Sequence, residues 1–201
     1  MQPRRLIACM ASFWVLLAER ALPARADEPA RPSEAEIGSI QVYLTPDQAV
    51  HEIWKGVGRV DTLVAKLTPV EMAGIRKSLG QSVPSDTVIV MRPYDVHGTL
   101  LGNAVIAEEI GKYRPITFIV GTTPDLAIRD VEVLVYRESR GGEVRFPRFL
   151  RQYRGKSGSS PIRTNRDIIN VAGATLSVNA LNLGVRRVLL SLEALHARKV
   201  L

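Results

Sequence analysis

The chain has 201 residues, of which 46% are hydrophobic, and its formal net charge is +7 at pH 7. This length allows one domain or a small pair and one sizeable hydrophobic core. The basic residues form no long run in the sequence, whereas nucleic-acid-binding proteins concentrate Lys and Arg on one face. We therefore do not expect nucleic acid to be a partner.

The N terminus has the three parts of an export signal. Residues 1–5 are basic, residues 6–18 form an apolar stretch, and Ala24-Arg25-Ala26 offers an A-x-A cleavage site before Asp27. The apolar stretch is shorter than the roughly 20 residues of a transmembrane helix. We predict that residues 1–26 are a signal peptide that is cleaved on export to the periplasm. Retention of this segment as a membrane anchor is the alternative.

The cysteine and histidine content limits the cofactors that the mature chain can hold. Cys9 is the only cysteine and lies within the predicted signal peptide. The exported chain would therefore lack disulfides, thiolate metal sites and iron–sulfur ligands. The three histidines, at positions 51, 97 and 196, do not have the short spacing of a metal-binding pair. We predict no metal site.

The first part of the mature chain is predicted to be a linker followed by helices. Residues 27–40 begin with a stretch rich in Pro, Ala and acidic side chains, which is typical of a solvated linker. Thr45-Pro46 has the residues of an N-cap and a first helical position, and Thr68 to Glu71 form a capping box. The second of these helices should end at Gly80. Residues 41–85 are therefore predicted to be an N-terminal helical segment.

The second part, residues 86–201, is predicted to form the main domain. Runs of β-branched and apolar residues predict four strands, at residues 87–91, 99–110, 115–121 and 126–138. Polar residues mostly alternate with the apolar ones in the last run, as in a half-buried antiparallel strand. The pattern predicts an antiparallel meander with helices against one face. The fold class is α+β.

One long helix is predicted to close the chain. Its apolar positions recur every three or four residues, the period of one buried stripe: Val178, Leu181, Val185, Val188, Leu192 and Leu195. A shorter helix is expected within residues 146–153, with Phe149, Leu150 and Tyr153 facing inward. Thr175 would lie in the first turn of the long helix, where unpaired backbone N–H groups and the helix dipole favour a phosphate.

Common catalytic motifs are not found. Gly155-Lys156-Ser157 lacks the upstream glycine of a P-loop, and no Gly-x-Ser-x-Gly sequence is present. The sequence shows no evident acid/base constellation. An oxidoreductase with a substrate pocket of its own therefore has little support.

Several blocks follow one another in a specific order from Gly111 onward. They are residues 111–121, 131–138, 141–145, 149–156 and 167–177, and the last contains Ala172-Gly173-Ala174-Thr175. Over roughly residues 95 to 195, this succession resembles the exported FMN-binding domain family. It is also similar to the extracytoplasmic FMN-carrying subunits of sodium-pumping NADH:quinone reductase and of Rnf-type complexes.

The resemblance implies a cofactor and its attachment. In this family, a separate FAD:protein FMN transferase joins FMN through its phosphate to a threonine hydroxyl. The position of that threonine is taken here by Thr175, preceded by the small residues Gly173 and Ala174. Ala172 stands where the family motif has Ser or Thr, and Ile169 stands where the family usually has an aspartate.

The resemblance also implies the other residues of a cofactor site. Glu138, Gly141 and Gly142 match the flavin-contacting segment, and Ser177 and Ala172 belong to the motif around Thr175. On physical grounds, independent of the resemblance, we expect Lys156 or Arg163 to add a charge-assisted hydrogen bond to the phosphate. An ordinary solvated charge is the alternative for both Glu138 and Lys156.

Two functional hypotheses follow. The leading one is a periplasmic electron carrier that relays electrons through FMN on Thr175 to or from a membrane or periplasmic redox partner. The alternative is a non-redox binding module of the same fold that has lost covalent flavinylation, which the residues at positions 169 and 172 motivate.

Overall fold

Six antiparallel strands form one sheet in the order β1-β6-β5-β4-β3-β2. The computed structural model describes residues 39–201, and the predicted signal peptide and residues 27–38 of the predicted linker lie outside this range. The strands are β1 (Gln41–Val42), β2 (Val57–Lys66), β3 (Thr87–Asp95), β4 (Asn103–Ile110), β5 (Pro115–Thr122) and β6 (Ile128–Tyr136). Strands β2 to β6 follow one another as a meander, which the sequence predicted for β3 to β6. Strand β1 adds to the sheet beside β6, where Gln41 pairs with Tyr136.

The predicted helical segment of residues 41–85 also contains a strand that the sequence analysis missed. Strand β2 pairs with β3 from Val57 opposite Asp95 to Lys66 opposite Thr87. Most of its side chains are exposed, so the sequence shows no strong apolar pattern there. The strand is instead held by its backbone hydrogen bonds to β3. This pairing joins residues 41–85 and 86–201 in the same sheet.

The two helices of this segment begin at the predicted capping signals. Helix α1 spans Pro46–Ile53 and helix α2 spans Pro69–Leu79. Thr45 Oγ1 accepts a hydrogen bond from the Gln48 N–H at 3.2 Å, and the Gln48 side chain accepts the Thr45 N–H at 2.8 Å. The same reciprocal pair forms at the start of α2, which ends at Gly80 in a left-handed conformation. Both starts are therefore full capping boxes.

Helices cover both faces of the sheet, so the prediction of helices against one face was wrong. Ile116, Phe118 and Val120 of β5 belong to a large core that includes α2 and the C-terminal helix. Ile119 points to the opposite face of the sheet. There it packs with Val50 of α1 and with Trp54, which directly follows α1. The reason is that β5 is apolar at successive positions, and successive side chains of a strand face opposite sides.

The C-terminal half of the chain places the predicted inner residues in the core. A 3₁₀ turn at Gly142–Arg145 leads to helix α3 (Pro147–Leu150) and a second 3₁₀ turn at Arg151–Tyr153. Helix α4 then spans Thr175–Ala197. The inward prediction is confirmed for the nine side chains that it named. Phe149, Leu150, Tyr153, Val178, Leu181, Val185, Val188, Leu192 and Leu195 are all buried. No helix among residues 39–201 is long and apolar enough to cross a membrane.

Candidate functional site

A pocket of about 440 Å³ lies at the N terminus of α4. Three separate parts of the chain line it: the turn between β4 and β5, the loop after β6, and the start of α4. The lining residues are Lys112, Glu138, Ser139, Arg140, Gly173, Ala174, Thr175, Leu176 and Ser177. The fold therefore brings together five of the predicted site residues, namely Glu138, Gly173, Ala174, Thr175 and Ser177.

The start of α4 offers the pocket unpaired backbone donors. Ala174 is the N-cap, and no side chain among the described residues caps the first turn. The N–H groups at such an end are free to bind an anion, and the helix dipole adds partial positive charge. The sequence prediction that Thr175 lies in the first turn is confirmed, since it is the first residue of the helix. The N terminus of α4 thus provides the features of a phosphate-binding site.

Thr175 is exposed on the pocket wall and has one side-chain partner. The Asn170 amide donates to its hydroxyl oxygen, with 2.9 Å between Nδ2 and Oγ1. Gly173, with φ of 79°, has no neighbouring atom within 4 Å of the position that a Cβ would take. Ala172 is exposed and lies outside the lining residues. The approach to the hydroxyl is therefore open on this side.

Buried hydrogen bonds hold the loop after β6 against α4. The Tyr136 hydroxyl donates to the Arg140 carbonyl oxygen at 2.5 Å and lies 2.8 Å from Ser177 Oγ. Burial raises the pKa of Tyr136 to about 12, so the phenol remains neutral and can donate. Gly141 has φ of 87°, and a Cβ there would come within 2.7 Å of Ser177 Oγ. Gly141 therefore lies against Ser177 but outside the lining residues, whereas Ser177 lines the pocket and is 5% exposed.

Glu138 connects the loop after β6 to the turn between β4 and β5. Its side chain is buried, and Oε1 accepts the backbone N–H groups of Tyr113 at 2.5 Å and Arg114 at 2.9 Å. A free solvated charge is therefore excluded for Glu138. The carboxylate fixes the turn that carries Lys112 to the pocket. Contact between Glu138 and a flavin stays a prediction.

Lys156 does not lie among the lining residues. Its ammonium group binds Asp167, with 2.9 Å between Nζ and Oδ2. The Asp167 carboxylate also accepts the backbone N–H groups of Ile162 at 3.1 Å and Arg163 at 2.8 Å. Although burial acts to raise it, these hydrogen bonds and Lys156 hold the pKa of Asp167 below its ordinary value. Lys156 thus orders the loop that leads to the site, and a solvated charge is excluded for it as well.

The positively charged side chains that line the pocket are ones that sequence reasoning did not select. Lys112 comes from the β4–β5 turn and Arg140 from the loop after β6. Both lie within or beside the blocks of the resemblance, which is the signal that could have identified them. Asn170 and Tyr136 were also missed, because a loop residue and a buried phenol show no periodic pattern. Gly142 lies next to Gly141 and outside the lining residues.

Comparison with known proteins agrees with this geometry. Residues 111–190 match the model of the FMN-binding domain family. This range contains all three segments that line the pocket. No curated protein matches the chain.

A solved structure with a similar chain trace is NqrC of Shewanella oneidensis. The two sequences are 16% identical, and the TM-score is 0.47. The match covers 69% of this chain and 79% of that chain.

FMN is the cofactor of this domain family, and the residues of the pocket fit it. The uncapped start of α4 and the cations Lys112 and Arg140 suit a phosphate. The pocket volume, about 440 Å³, lies within the range of small-molecule and cofactor sites. A bound flavin supplies reversible electron transfer, while the protein binds and orients it. The chain's own residues therefore have to hold the phosphate, shape the pocket and exclude water.

Proposed function

We propose that this chain is an exported electron carrier whose FMN is attached through its phosphate to the Thr175 hydroxyl oxygen. The observation that carries the proposal is the exposed Thr175 hydroxyl on the wall of the pocket at the uncapped N terminus of α4. A covalent link suits an exported protein, because a cofactor lost outside the cytoplasm is not easily replaced. The predicted signal peptide, residues 1–26, supports the periplasm as the location.

The attachment needs FAD and an FAD:protein FMN transferase. Thr175 Oγ1 attacks the phosphorus on the flavin side of the FAD pyrophosphate and forms a new P–O bond. The bond from that phosphorus to the bridging oxygen breaks, and AMP leaves with the electron pair. The hydroxyl proton goes to a base of the transferase. The products are FMN in a phosphodiester with Thr175 and free AMP.

The residues around Thr175 suit the product of this reaction. A phosphodiester carries one negative charge, which the first-turn N–H groups of α4 and its dipole stabilise. Lys112 and Arg140 supply positive charge from the other two lining segments. Glu138 and Tyr136 keep those segments in place through buried hydrogen bonds. The chain therefore holds the anion from three directions.

Flavinylation is tested by producing the full chain together with the transferase. The denatured wild-type protein should fluoresce as flavin on a gel, and its intact mass should increase by FMN minus one water. Thr175→Ala should abolish both signals. Thr62→Ala, an exposed threonine on β2, is the matched control and should be flavinylated like the wild type.

Three other outcomes would change the conclusion. Covalent flavin retained in Thr175→Ala would exclude Thr175 as the attachment site. Wild-type protein with unmodified mass and no co-purifying FMN would favour the non-redox binding module, as the residues Ile169 and Ala172 suggest. Export is tested separately: the periplasmic form should begin at Asp27, and an uncleaved N terminus would contradict this.

A further inference from the structure

The segment 137–156 carries a dense positive charge. It contains six Arg and one Lys but only two Glu. Three of these cations pair with carboxylates elsewhere: Arg137 with Glu108, Arg154 with Asp130 and Lys156 with Asp167. Arg140, Arg145 and Arg148 are exposed and form no ion pair within residues 39–201. Their charge is therefore available to a partner.

Two aromatic rings order the guanidinium groups of Arg145 and Arg148. The Arg145 Cζ lies 4.6 Å from the ring centroid of Tyr43 and 4.8 Å from that of Phe146. The Arg148 Cζ lies 6.0 Å from the Phe146 centroid. Such cation–π contacts restrict the side chains without neutralising them. We call Tyr43, Arg140, Arg145, Phe146 and Arg148 the arginine–aromatic patch.

The arginine–aromatic patch borders the flavin pocket. Arg140 belongs to both, since it lines the pocket. The Tyr43 hydroxyl lies 3.9 Å from the position of a Cβ on Gly142, two residues after Arg140. Apolar surface accompanies the charge, because Phe146 is 36% exposed and Val42 of the edge strand β1 is 67% exposed. A partner on this surface would sit at the rim of the pocket.

We propose that the arginine–aromatic patch docks an acidic redox protein and brings its redox centre to the FMN pocket. This inference rests on the proposed electron-carrier function. Arg and aromatic side chains are enriched in protein–protein interfaces. An excess of one charge at a docking surface also steers an oppositely charged partner and accelerates association at low ionic strength. The position beside the pocket makes this a surface for electron exchange with a protein.

A small acidic plant-type [2Fe–2S] ferredoxin, chemically reduced, serves as the probe. Its potential of about −400 mV is low enough for it to act as the donor. Each reduced ferredoxin gives one electron, so two are oxidised for each FMN. The fully reduced flavin takes up two protons from water. The reaction is followed by the loss of the flavin absorbance in a stopped-flow experiment.

The test variant is Arg145→Gln/Arg148→Gln, which removes two charges outside the pocket lining. We expect the second-order rate of flavin reduction to fall about tenfold at low ionic strength. The difference should disappear near 1 M salt, where the screening length is about 3 Å. Calorimetry with oxidised ferredoxin and the flavin-free protein should show a parallel loss of affinity, so the result does not depend on flavin activity alone.

The matched control is Arg76→Gln/Lys77→Gln, which removes two exposed charges from the last turn of α2. This control should react like the wild type. Equal effects of the two double variants, an unchanged rate in Arg145→Gln/Arg148→Gln, or no reaction of the wild type with ferredoxin would overturn the proposal. Binding of the wild type to anionic phospholipid vesicles that Arg145→Gln/Arg148→Gln abolishes, with no change in the ferredoxin rate, would assign the patch to a membrane instead.

Dithionite separates this inference from the proposed function. As a small anionic reductant, it should reduce the flavin of all variants at the same rate near 1 M salt, where its charge is screened. If the wild type carries no flavin and dithionite produces no absorbance change, the proposed function fails. If dithionite reduces the flavin but the ferredoxin rates give one of the results named above as overturning the docking proposal, only the docking proposal fails.

Discussion

The side-chain amide of Asn170 donates a hydrogen bond to the hydroxyl oxygen of Thr175, with 2.9 Å between Nδ2 and Oγ1. The other amide atom, Oδ1, is buried and has no hydrogen-bond partner among the described residues. This hydrogen bond holds the hydroxyl oxygen in place while its own proton stays available to an external base. In the proposed attachment reaction, Asn170 would therefore act as a positioning residue.

Asn170→Ala should slow flavinylation of Thr175 by about tenfold, because the loss of a positioning hydrogen bond costs about 1 kcal/mol or somewhat more. The effect should fall on the kcat of the transferase with this chain as substrate, while KM stays unchanged. Asn179→Ala is the matched control, since Asn179 lies on α4, accepts from the hydroxyl of the loop residue Thr164 and does not line the pocket. An unchanged kcat for Asn170→Ala would exclude the positioning role.

Gly141→Ala should lower the free energy of unfolding and weaken FMN binding. The left-handed conformation, with φ of 87°, costs a non-glycine residue about 1–2 kcal/mol. The new Cβ would also come within 2.7 Å of Ser177 Oγ and 2.9 Å of the Tyr136 hydroxyl, which disturbs the wall of the pocket. Urea unfolding and titration with free FMN measure the two effects.

Gly155→Ala separates the steric effect from the backbone effect. Gly155 has φ of 75°, but no neighbouring atom lies within 4 Å of its Cβ position. It should therefore show the conformational cost alone and bind FMN like the wild type. Equal destabilisation by the two substitutions would contradict the contact between residue 141 and the Tyr136–Ser177 pair.

Glu138→Ala should loosen the turn between β4 and β5. The carboxylate accepts two backbone N–H groups, and hydrogen bonds to a charged group contribute about 1.5–3 kcal/mol each. We expect faster hydrogen exchange at the amides of Tyr113 and Arg114 and weaker binding of free FMN through misplacement of Lys112. Glu138→Gln keeps an acceptor and should retain part of the protection. Unchanged exchange in Glu138→Ala would show that the turn is held by other contacts.

The hydrogen bonds of Asp167 should make stability depend on pH. Its pKa in the folded state is lowered, so the folded form binds fewer protons than the unfolded one and stability rises with pH. The contribution is fully present above the unfolded pKa of about 3.9 and is lost as the pH falls through the lower folded pKa.

The stability difference between the wild type and Asp167→Asn should therefore be constant at neutral pH and shrink as the pH falls below about 4. Urea unfolding at several pH values measures this. Lys156→Met should remove only part of the pH-dependent difference, because the N–H groups of Ile162 and Arg163 still bind the carboxylate. Parallel stability curves for the wild type and Asp167→Asn over the whole range would contradict the assignment.

The sequence predicted correctly those helices whose formation depends on residues close together along the chain. The capping residues at Thr45 and Thr68 marked both helix starts, and the apolar period identified the buried stripe of α4. Strand β2 was not predicted, because its side chains are mostly exposed and give no apolar pattern. Its pairing partner, β3, also begins about 20 residues further along the chain. The second covered face also depends on how α1 packs, which the run of apolar residues in β5 does not specify.

The candidate site was only partly predictable for a similar reason. The order of the sequence blocks identified Thr175 and its neighbours as candidate site residues. In the folded protein they line the same pocket as Glu138. The partner of Lys156 was not predictable, because a bend of the chain between residues 155 and 167 brings it to Asp167. The contacts of Lys112, Arg140 and Asn170 likewise depend on loops that meet only in the folded protein.

The proposed attachment point is the first residue of the helix that fills the core. Leu181, Val185 and Leu192 are fully buried along α4, so Thr175 cannot shift far without disturbing the packing of the whole sheet. The other two walls of the pocket come from surface loops, which tolerate substitution and insertion more readily. Substitutions in these loops can therefore change the surroundings of the cofactor while the proposed attachment residue, Thr175, keeps its position.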